Sequence, residues 1–413
     1  MRLKASLPSY KQIEVELGPN KTVKDLREII CKKLGIEPEL TKLLADGKIL
    51  SERTRLSTLN GMVVVDYFWA RHLLLWGSEG QARIRTATVL LAGAGAIGNE
   101  VAKNLAMLGV GRIFFVDHDV VEMSNVSRMV FFQQNDLGKN KAEVLASNIH
   151  RKYPFVETIA FRGDLEIFPL KFFLDSDVIV CGLDNVVSRI FMAQISRKYS
   201  IPMVDGGITG LNGRVHVYLP PGDACPICMF PPNQYSQIVG LHNPCDAPIE
   251  QPAVASFSTS ISLVSAILAQ ETVKIILGLK EFHATANWPA SSGQPLRSVL
   301  FMDMKNNRYT LMDLKRSEKC FVCGKDGTAK ELIQRADLPI NSVRGGKADL
   351  EEAIRHSANI HGDRIRIFAE TSNGTRMLDG HSKLGKNVAR GDYLRVLAGG
   401  KDGEFGESLL RLT

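Results

Sequence analysis

The sequence predicts an α/β fold with a mostly parallel central sheet and a small α+β domain on either side. An apolar segment at residues 89–92 runs into the glycine turn Gly93-Ala94-Gly95-Ala96-Ile97-Gly98 and then into a helix. Two later apolar segments, residues 112–116 and 177–180, are each followed within four residues by an acidic residue. Strand, glycine turn and helix in this order are typical of a Rossmann-like nucleotide site.

The glycine turn indicates a ligand that carries phosphates. Gly93, Gly95 and Gly98 would let backbone N–H groups and a helix N-terminus come close to phosphate oxygens. Alone, this motif usually marks a dinucleotide enzyme, in which Asp117 at the end of the second strand would bind a ribose.

The residues after Asp117 favour ATP instead. Asn125 and Arg128 stand in the sequence Ser-Asn-Val-Ser-Arg, and Lys141 opens a further helix. A nicotinamide enzyme does not need two cations here, whereas they would offset the charge on the pyrophosphate that leaves ATP.

A magnesium ligand is predicted after the strand at residues 177–180. Asp184 would lie at the carboxyl end of this strand, where open parallel sheets bind ligands. Magnesium is usually held by one or two carboxylates together with substrate phosphates. The pair Asp184-Asn185 also fits a helix N-cap, and the two roles can coexist.

In this order, the motifs resemble the family of enzymes that adenylate ubiquitin-like proteins. The family comprises ubiquitin-activating enzymes and the bacterial adenylyltransferases of molybdopterin and thiamin sulfur carriers, and the resemblance covers about residues 67–324. It implies that the C-terminal carboxylate of a carrier protein attacks the α-phosphate of ATP and pyrophosphate leaves. A carboxylate is already ionised at neutral pH, so positioning and charge stabilisation suffice without a general base.

The resemblance also implies roles for individual residues. Arg71 would reach the ATP of the partner subunit in a homodimer, which makes Arg71, Arg128 and Lys141 the expected catalytic cations. The expected nucleotide and magnesium site consists of Gly93, Gly95, Gly98, Asp117, Asn125, Arg128, Lys141 and Asp184. Met129 and His72 stand where the family usually has glutamine, but neither change removes a charge that the chemistry needs.

The cysteines predict a metal site rather than disulfides. Seven cysteines, with a charged start and no signal peptide, lead us to expect a reducing, cytoplasmic location. Four of them form two Cys-x-x-Cys pairs that fit a closed tetrahedral zinc site: Cys225, Cys228, Cys320 and Cys323. Their long separation weakens a local zinc-ribbon interpretation, although the family carries such split pairs. The alternative is that these cysteines are incidental or redox-active.

Cys245 is the candidate nucleophile. It lies in a proline-rich segment ahead of an apolar helix, and it resembles the thioester cysteine of ubiquitin-activating enzymes that lack a large cysteine domain. Its thiolate would take the acyl group from the adenylate. Some adenylyltransferases of sulfur transfer also have a cysteine here that is not always required, so both roles stay open.

Two small domains are expected beside an adenylation domain at residues 67–325. Residues 1–66 resemble ubiquitin, a β-grasp fold, because strands flank an amphipathic helix at residues 22–34. This domain has no Gly-Gly tail, so it would be a docking, regulatory or stabilising domain rather than the substrate. Residues 326–413 resemble the ubiquitin-fold domain that recruits a conjugating enzyme; the alternative is a β-rich tail packed on the core.

Charge and hydropathy limit the classes of partner that we expect for this protein. The net charge of +7 is dispersed, which fits a phosphate-binding enzyme or an acidic partner better than a nucleic-acid binder. The apolar stretch at residues 261–279 contains Gln270, Glu271 and Lys274, so we expect a buried or dimer-interface helix and no membrane span.

The leading hypothesis is ATP- and Mg²⁺-dependent activation of a ubiquitin-like protein, with transfer to Cys245 and on to a conjugating enzyme. A sulfur-carrier adenylyltransferase of the molybdopterin or thiamin type is the first alternative. An inactive scaffold that binds ubiquitin-like partners is the second.

Overall fold

The computed structural model describes residues 2–6, 12–18, 20–59, 62–231, 234, 256–329, 334–343, 347–358, 364–378, 388–399 and 405–413. The chain forms two compact units. The first consists of Met1–Ala87, Leu108–Gly111 and Val273–Gln294. The second consists of Thr88–Met107, Arg112–Thr272 and Pro295–Thr413.

The first unit contains a β-grasp domain. Its elements are β1 Arg2–Ser6, β2 Gln12–Glu16, α1 Val23–Leu34, β3 Thr41–Ala45, β4 Lys48–Ile49 and β5 Val63–Tyr67. The strands are ordered β2-β1-β5-β3-β4 in the sheet. Strands β1 and β5, the first and last along the chain, pair with each other in parallel. Helix α1 begins with a capping box between Thr22 and Asp25 and ends at Gly35 in a left-handed conformation. The predicted N-terminal ubiquitin-like fold is therefore confirmed.

The segment after β5 is packed into the same unit. Glu37 accepts hydrogen bonds from the Tyr67 hydroxyl at 2.6 Å and from Nε of Arg85 at 2.9 Å. Arg85 belongs to helix α2, Leu73–Thr86, which bends at Gly77, where φ is 67°. The domain boundary expected at residues 66 and 67 stays a prediction, because these contacts join both sides of it.

An eight-stranded sheet forms the centre of the second unit. The strands of this sheet and the helices along the same part of the chain are β6 Thr88–Ala92, α3 Ala96–Leu108, β7 Arg112–Asp117, α4 Met123–Val126, α5 Lys141–Lys152, β8 Glu157–Arg162, α6 Leu170–Leu174, β9 Val178–Cys181, α7 Val186–Tyr199, β10 Met203–Thr209, β11 Asn212–Tyr218, α8 Ser258–Thr285, β12 Val299–Asp303 and β13 Arg308–Met312. The last residue of α3 and the part of α8 from Val273 belong to the first unit.

Five strands of this sheet run parallel, as the apolar segments predict. The order is β13-β12-β11-β10-β9-β6-β7-β8. Strands β10, β9, β6, β7 and β8 are parallel to one another, whereas β11, β12 and β13 each pair antiparallel with the strand before them in the chain. Strands β6 and β9 are buried along their whole length, which explains their unbroken apolar sequences. From β6 the chain continues to β7 and β8 on one side of β6, and it then crosses to β9 on the other side of β6. The switch point of the sheet, where such folds bind ligands, is therefore at β6.

Helix α8 has 28 residues and is apolar enough to cross a membrane by length and composition alone. Within its most apolar window of 18 residues, 61% is buried inside the protein. Ser262 and Ser265 donate hydrogen bonds to Glu100 and to the Ile97 carbonyl of α3. These contacts are those of a packed helix, and core helices pass the same length and composition test.

The last segment forms a second, five-stranded sheet. Its elements are β14 Gln334–Leu338, α9 Lys347–Ala358, β15 Arg364–Thr371, β16 Gly374–Leu378, β17 Tyr393–Gly399 and β18 Phe405–Leu412. It has a core of its own, which includes Leu350, Ile354, Leu394 and Leu410. The first and last strands are parallel, as in ubiquitin, but the order is β14-β18-β17-β15-β16. Among the described residues no second strand pairs with β14, and β17 separates β18 from β15. This order differs from that of the N-terminal β-grasp sheet, and the ubiquitin fold suggested for residues 326–413 stays a prediction beside its alternative, a β-rich tail.

Candidate functional site

Three of the predicted nucleotide-binding segments follow neighbouring strands that end at the same height of the central sheet. Ala92 is in register with Val116 on one side and with Cys181 on the other. The next residues along the chain, Gly93, Asp117 and Gly182, therefore lie at the carboxyl ends of three neighbouring strands. This places the glycine turn, the ribose candidate and the loop of Asp184 at the switch point.

The three glycines of the turn differ in whether the fold requires them. Gly93 has φ of 91°, and a β-carbon at Gly98 would lie 2.0 Å from the Gly93 carbonyl oxygen. Both residues must be glycine for the turn to fold. A β-carbon at Gly95 would have no heavy atom within 4 Å. The packing of the chain does not require glycine at position 95, and open space lies beside it.

Asp117 is tied to this turn. Its Oδ2 accepts a hydrogen bond from the Ala94 N–H at 2.6 Å, and its Oδ1 accepts one from the Asp119 N–H at 2.8 Å. Burial raises the pKa of Asp117, and these two bonds counteract part of the rise. Since a carboxylate can accept about four hydrogen bonds, Asp117 has capacity left for ribose hydroxyls.

Lys141 is held at the start of α5. Its Nζ lies 2.7 Å from Oδ2 of Asp119, and only 11% of its side chain is exposed. Asn140 caps the helix by accepting from the Glu143 N–H, and it donates to the carbonyls of Asp117 and Asp119. Capping and carbonyl contacts thus fix the Lys141 backbone beside Asp117.

Asn125 and Arg128 belong to a short helical turn. Asn125 is buried, and its Oδ1 accepts from the Glu122 N–H at 2.9 Å, which closes a capping box. Arg128 is half-buried and donates to the Ser124 carbonyl at 2.6 Å. The structure thus gives Asn125 a capping role that the sequence did not indicate. Phosphate contacts by Asn125 and Arg128 stay predictions.

Asp184 and Asn185 have separate roles. The side chain of Asn185, not that of Asp184, accepts from the Ser188 N–H at 2.7 Å and caps α7. Asp184 is exposed and makes no ion pair with any residue that the structure describes. The capping alternative therefore applies to Asn185, and the Asp184 carboxylate is accessible for Mg²⁺, which prefers oxygen ligands.

A buried charge cluster near this loop was missed by the sequence analysis. Asp205 is 1% exposed and lies within 3.1 Å of guanidinium nitrogens of both Arg189 and Arg214. Asp205 ends an apolar segment at the same sheet edge as Asp184, which was the available signal. The partners come from α7 and β11, and their meeting depends on strand register.

The four predicted zinc ligands come together. The Sγ–Sγ distances are 3.9 Å for Cys225–Cys228, 3.6 Å for Cys225–Cys320 and 3.4 Å for Cys228–Cys323. All four sulfurs lie within 4.8 Å of one another. Thiolates bound at about 2.3 Å to one tetrahedral zinc ion would be about 3.8 Å apart. Donor type, number and spacing fit structural zinc, which would join residues far apart in sequence.

Two predicted site residues are not placed at this edge. Arg71 lies in an exposed turn ahead of α2 in the first unit, and its proposed reach into a partner stays a prediction. Cys245 lies outside the described residues.

Comparison with known proteins gives two family matches. The chain matches the ThiF family over residues 69–322 and the ubiquitin family over residues 2–63. It is 29% identical to a sulfur carrier protein adenylyltransferase of Thermus thermophilus, over 62% of this chain and 89% of that protein. It is 30% identical to the SAMP-activating enzyme E1 of Haloferax volcanii, over 63% of this chain and 89% of that protein.

Other relatives are longer. The NEDD8-activating enzyme E1 catalytic subunit of Saccharomyces cerevisiae is 36% identical over 34% of this chain, and the match spans 50% of that protein. Among the NEDD8-activating relatives the matched share of their length is 36% to 50%. The solved structure of E. coli MccB aligns with a TM-score of 0.50 and 19% identity, over 64% of this chain and 74% of that one. That likeness supports the fold alone.

Proposed function

Because the chain belongs to the ThiF family, with an N-terminal ubiquitin-like domain, we propose that it is an ATP-dependent activating enzyme for a ubiquitin-like protein. One observation carries the proposal. The glycine turn, Asp117 and the loop of Asp184 leave the sheet at one level, beside open space at Gly95.

The reaction is an acyl adenylation. A C-terminal carboxylate oxygen of the carrier protein bonds to the α-phosphorus of ATP, and the bond to the β-phosphate breaks, so pyrophosphate leaves with the electron pair. Lys141 and Arg128 offset charge on the phosphates, and Asp117 accepts from the ribose hydroxyls. The backbone at Gly93, Gly95 and Gly98 lets the phosphates approach. No residue has to remove a proton, which agrees with a site made of cations, carboxylates and glycine.

Magnesium would enter with ATP and be held by Asp184. Its carboxylate is exposed and free of cationic partners within the described ranges, and it lies on the loop after β9. Bound there, the ion would neutralise phosphate charge.

In this proposal the steps after adenylation involve Cys245, a second subunit and a conjugating enzyme. The Cys245 thiolate attacks the acyl carbon of the adenylate, AMP leaves, and a conjugating enzyme takes the thioester. The enzyme acts as a cytoplasmic homodimer in which Arg71 contacts the neighbouring nucleotide. Zinc on the four clustered cysteines has a structural role only, because metal-bound thiolates are occupied.

A sulfur-carrier adenylyltransferase is the second candidate. Its support is the Thermus thermophilus relative of that name, most of whose length this chain matches. In that case the adenylate would receive sulfur, and Cys245 would not be needed for a stable adduct.

A covalent adduct distinguishes the two candidates. With ATP, Mg²⁺ and a ubiquitin-like carrier, a conjugation enzyme forms an adduct that thiol reductant cleaves. The Cys245→Ala variant should lose the adduct yet keep carrier-dependent pyrophosphate exchange, since adenylation comes first. An adduct that persists without Cys245 contradicts the thioester step. A carrier that is adenylated without forming any adduct favours sulfur transfer.

A further inference from the structure

Arg189 joins three backbone segments at the edge of the nucleotide site. It lies in the first turn of α7, and 8% of the residue is exposed. Its Nη2 donates to the carbonyl oxygens of Leu183 and Gly206, and its Nη1 lies 3.0 Å and 3.1 Å from the two carboxylate oxygens of Asp205. The loop after β9 is thereby bound to strand β10.

The carboxylate that holds Arg189 is itself paired with a second arginine. Nη1 of Arg214 lies 2.7 Å from Oδ2 of Asp205, so two cations share one buried carboxylate. Both terminal nitrogens of Arg189 are already used inside the protein. Turning outward to bind a phosphate would break all of these contacts and leave the buried Asp205 carboxylate with one cation fewer, so this side chain stays in the interior.

The contact with Leu183 bears directly on Asp184. The Leu183 carbonyl belongs to the peptide bond that precedes Asp184, and the Asn185 side chain caps α7 immediately after it. The backbone is held on both sides of a carboxylate that is itself exposed. Fixing the backbone of a metal ligand limits the orientations of its carboxylate, and supporting contacts of this kind tune metal affinity.

We propose that Arg189 is the positioning residue for Asp184, holding its loop so that the carboxylate meets the magnesium ion of bound ATP. The proposal rests on the proposed function. Arg189 acts through the Leu183 carbonyl and touches neither nucleotide nor metal. Asp205 in turn orients Arg189, and the ion pair with Arg214 holds the Asp205 carboxylate in place.

The test compares ATP binding with and without Mg²⁺. In wild type, calorimetry should show tighter ATP binding in Mg²⁺ than in EDTA. In Arg189→Gln the apparent affinity for Mg²⁺ in the ATP complex should fall about 10- to 100-fold, as is usual when a supporting contact of a metal ligand is lost. ATP affinity in EDTA should stay close to wild type, and excess Mg²⁺ should restore binding. The Asp184→Asn variant gives the loss of Mg²⁺ affinity for comparison, because it removes the charged ligand itself.

A matched control lies on the same helix. Arg197 is 8% exposed and donates from Nη1 to the Pro221 carbonyl at 2.6 Å, away from the Asp184 loop. Arg197→Gln should lower the melting temperature without changing the Mg²⁺ dependence. If Arg189→Gln does not fold, Arg189→Lys serves instead. It keeps the charge beside Asp205, but a single ammonium cannot reproduce the planar fork that also reaches Leu183.

Three results would overturn the proposal. A folded Arg189 variant with wild-type Mg²⁺ dependence removes the positioning role, as does an equal shift in Arg197→Gln. Equal weakening of ATP binding in Mg²⁺ and in EDTA would make Arg189 a general structural residue. Failure of the proposed function looks different, because wild-type protein itself would then show no Mg²⁺-dependent ATP binding.

Discussion

Gly95→Ala separates a glycine kept for folding from one kept for a ligand. A β-carbon at position 95 meets no heavy atom within 4 Å, and this residue is not among those with positive φ. The substitution should therefore change the free energy of unfolding by no more than about 0.5 kcal/mol. The methyl group would occupy the space through which a phosphate approaches the backbone. Losing one hydrogen bond to a charged group costs about 1.5–3 kcal/mol, so ATP should bind about 10- to 150-fold more weakly.

Gly98→Ala is the matched control. Its β-carbon would lie 2.0 Å from the Gly93 carbonyl oxygen, so the turn must deform, at a cost of about 1–3 kcal/mol or more. Chemical denaturation measures stability, and calorimetric titration measures ATP affinity for both variants. Gly95→Ala should lose affinity with wild-type stability, whereas Gly98→Ala should lose stability. Wild-type ATP affinity in folded Gly95→Ala would refute the assignment of this turn to phosphate.

Three further predictions concern zinc, pH and the dimer. Freshly purified protein should contain one zinc per chain, and Cys225→Ser should lose the metal and stability together; elemental analysis without zinc would contradict the site. Burial lowers the pKa of His216 from 6.5 to about 4, so stability should be lost as pH falls from about 6.5 to 4, by about 3 kcal/mol. Denaturation should show a shallower loss in His216→Leu, and an unchanged slope would rule out this histidine as the cause. Mixing inactive Arg71→Ala and Asp184→Ala chains should restore some activity, and no recovery despite proven subunit exchange would exclude action across the dimer.

Local sequence patterns predicted the parts of the fold that local physics determines. Strands β6, β7 and β9 are buried parallel strands, which require unbroken apolar segments. The helices at residues 22–34 and from Lys141 were predicted close to their observed starts, and in the structure the short polar side chains of Thr22 and Asn140 cap their first turns. The two cysteine pairs were also predictable, since a closed metal site needs its ligands whatever their separation.

Other features depend on long-range register and were not predictable. Asp205 meets Arg189 and Arg214 only because β10 lies between β9 and β11. The C-terminal strand order follows from how short strands pair, which their alternating sequences leave open. The open space beside Gly95 is likewise a three-dimensional property, because nearby Gly93 and Gly98 look the same in sequence but are required by packing.

Carrier-dependent exchange of pyrophosphate into ATP tests the central claim most directly. Wild-type protein should catalyse exchange with a ubiquitin-like carrier that ends in a free glycine carboxylate, and not with the same carrier amidated at its C-terminus. Arg128→Ala and Asp184→Ala should each lower the rate about 100- to 1,000-fold, because each removes one preorganised electrostatic partner, while circular dichroism shows an intact fold. An exchange rate that is the same with the amidated carrier, or a near-normal rate in either variant, would contradict adenylation at this site.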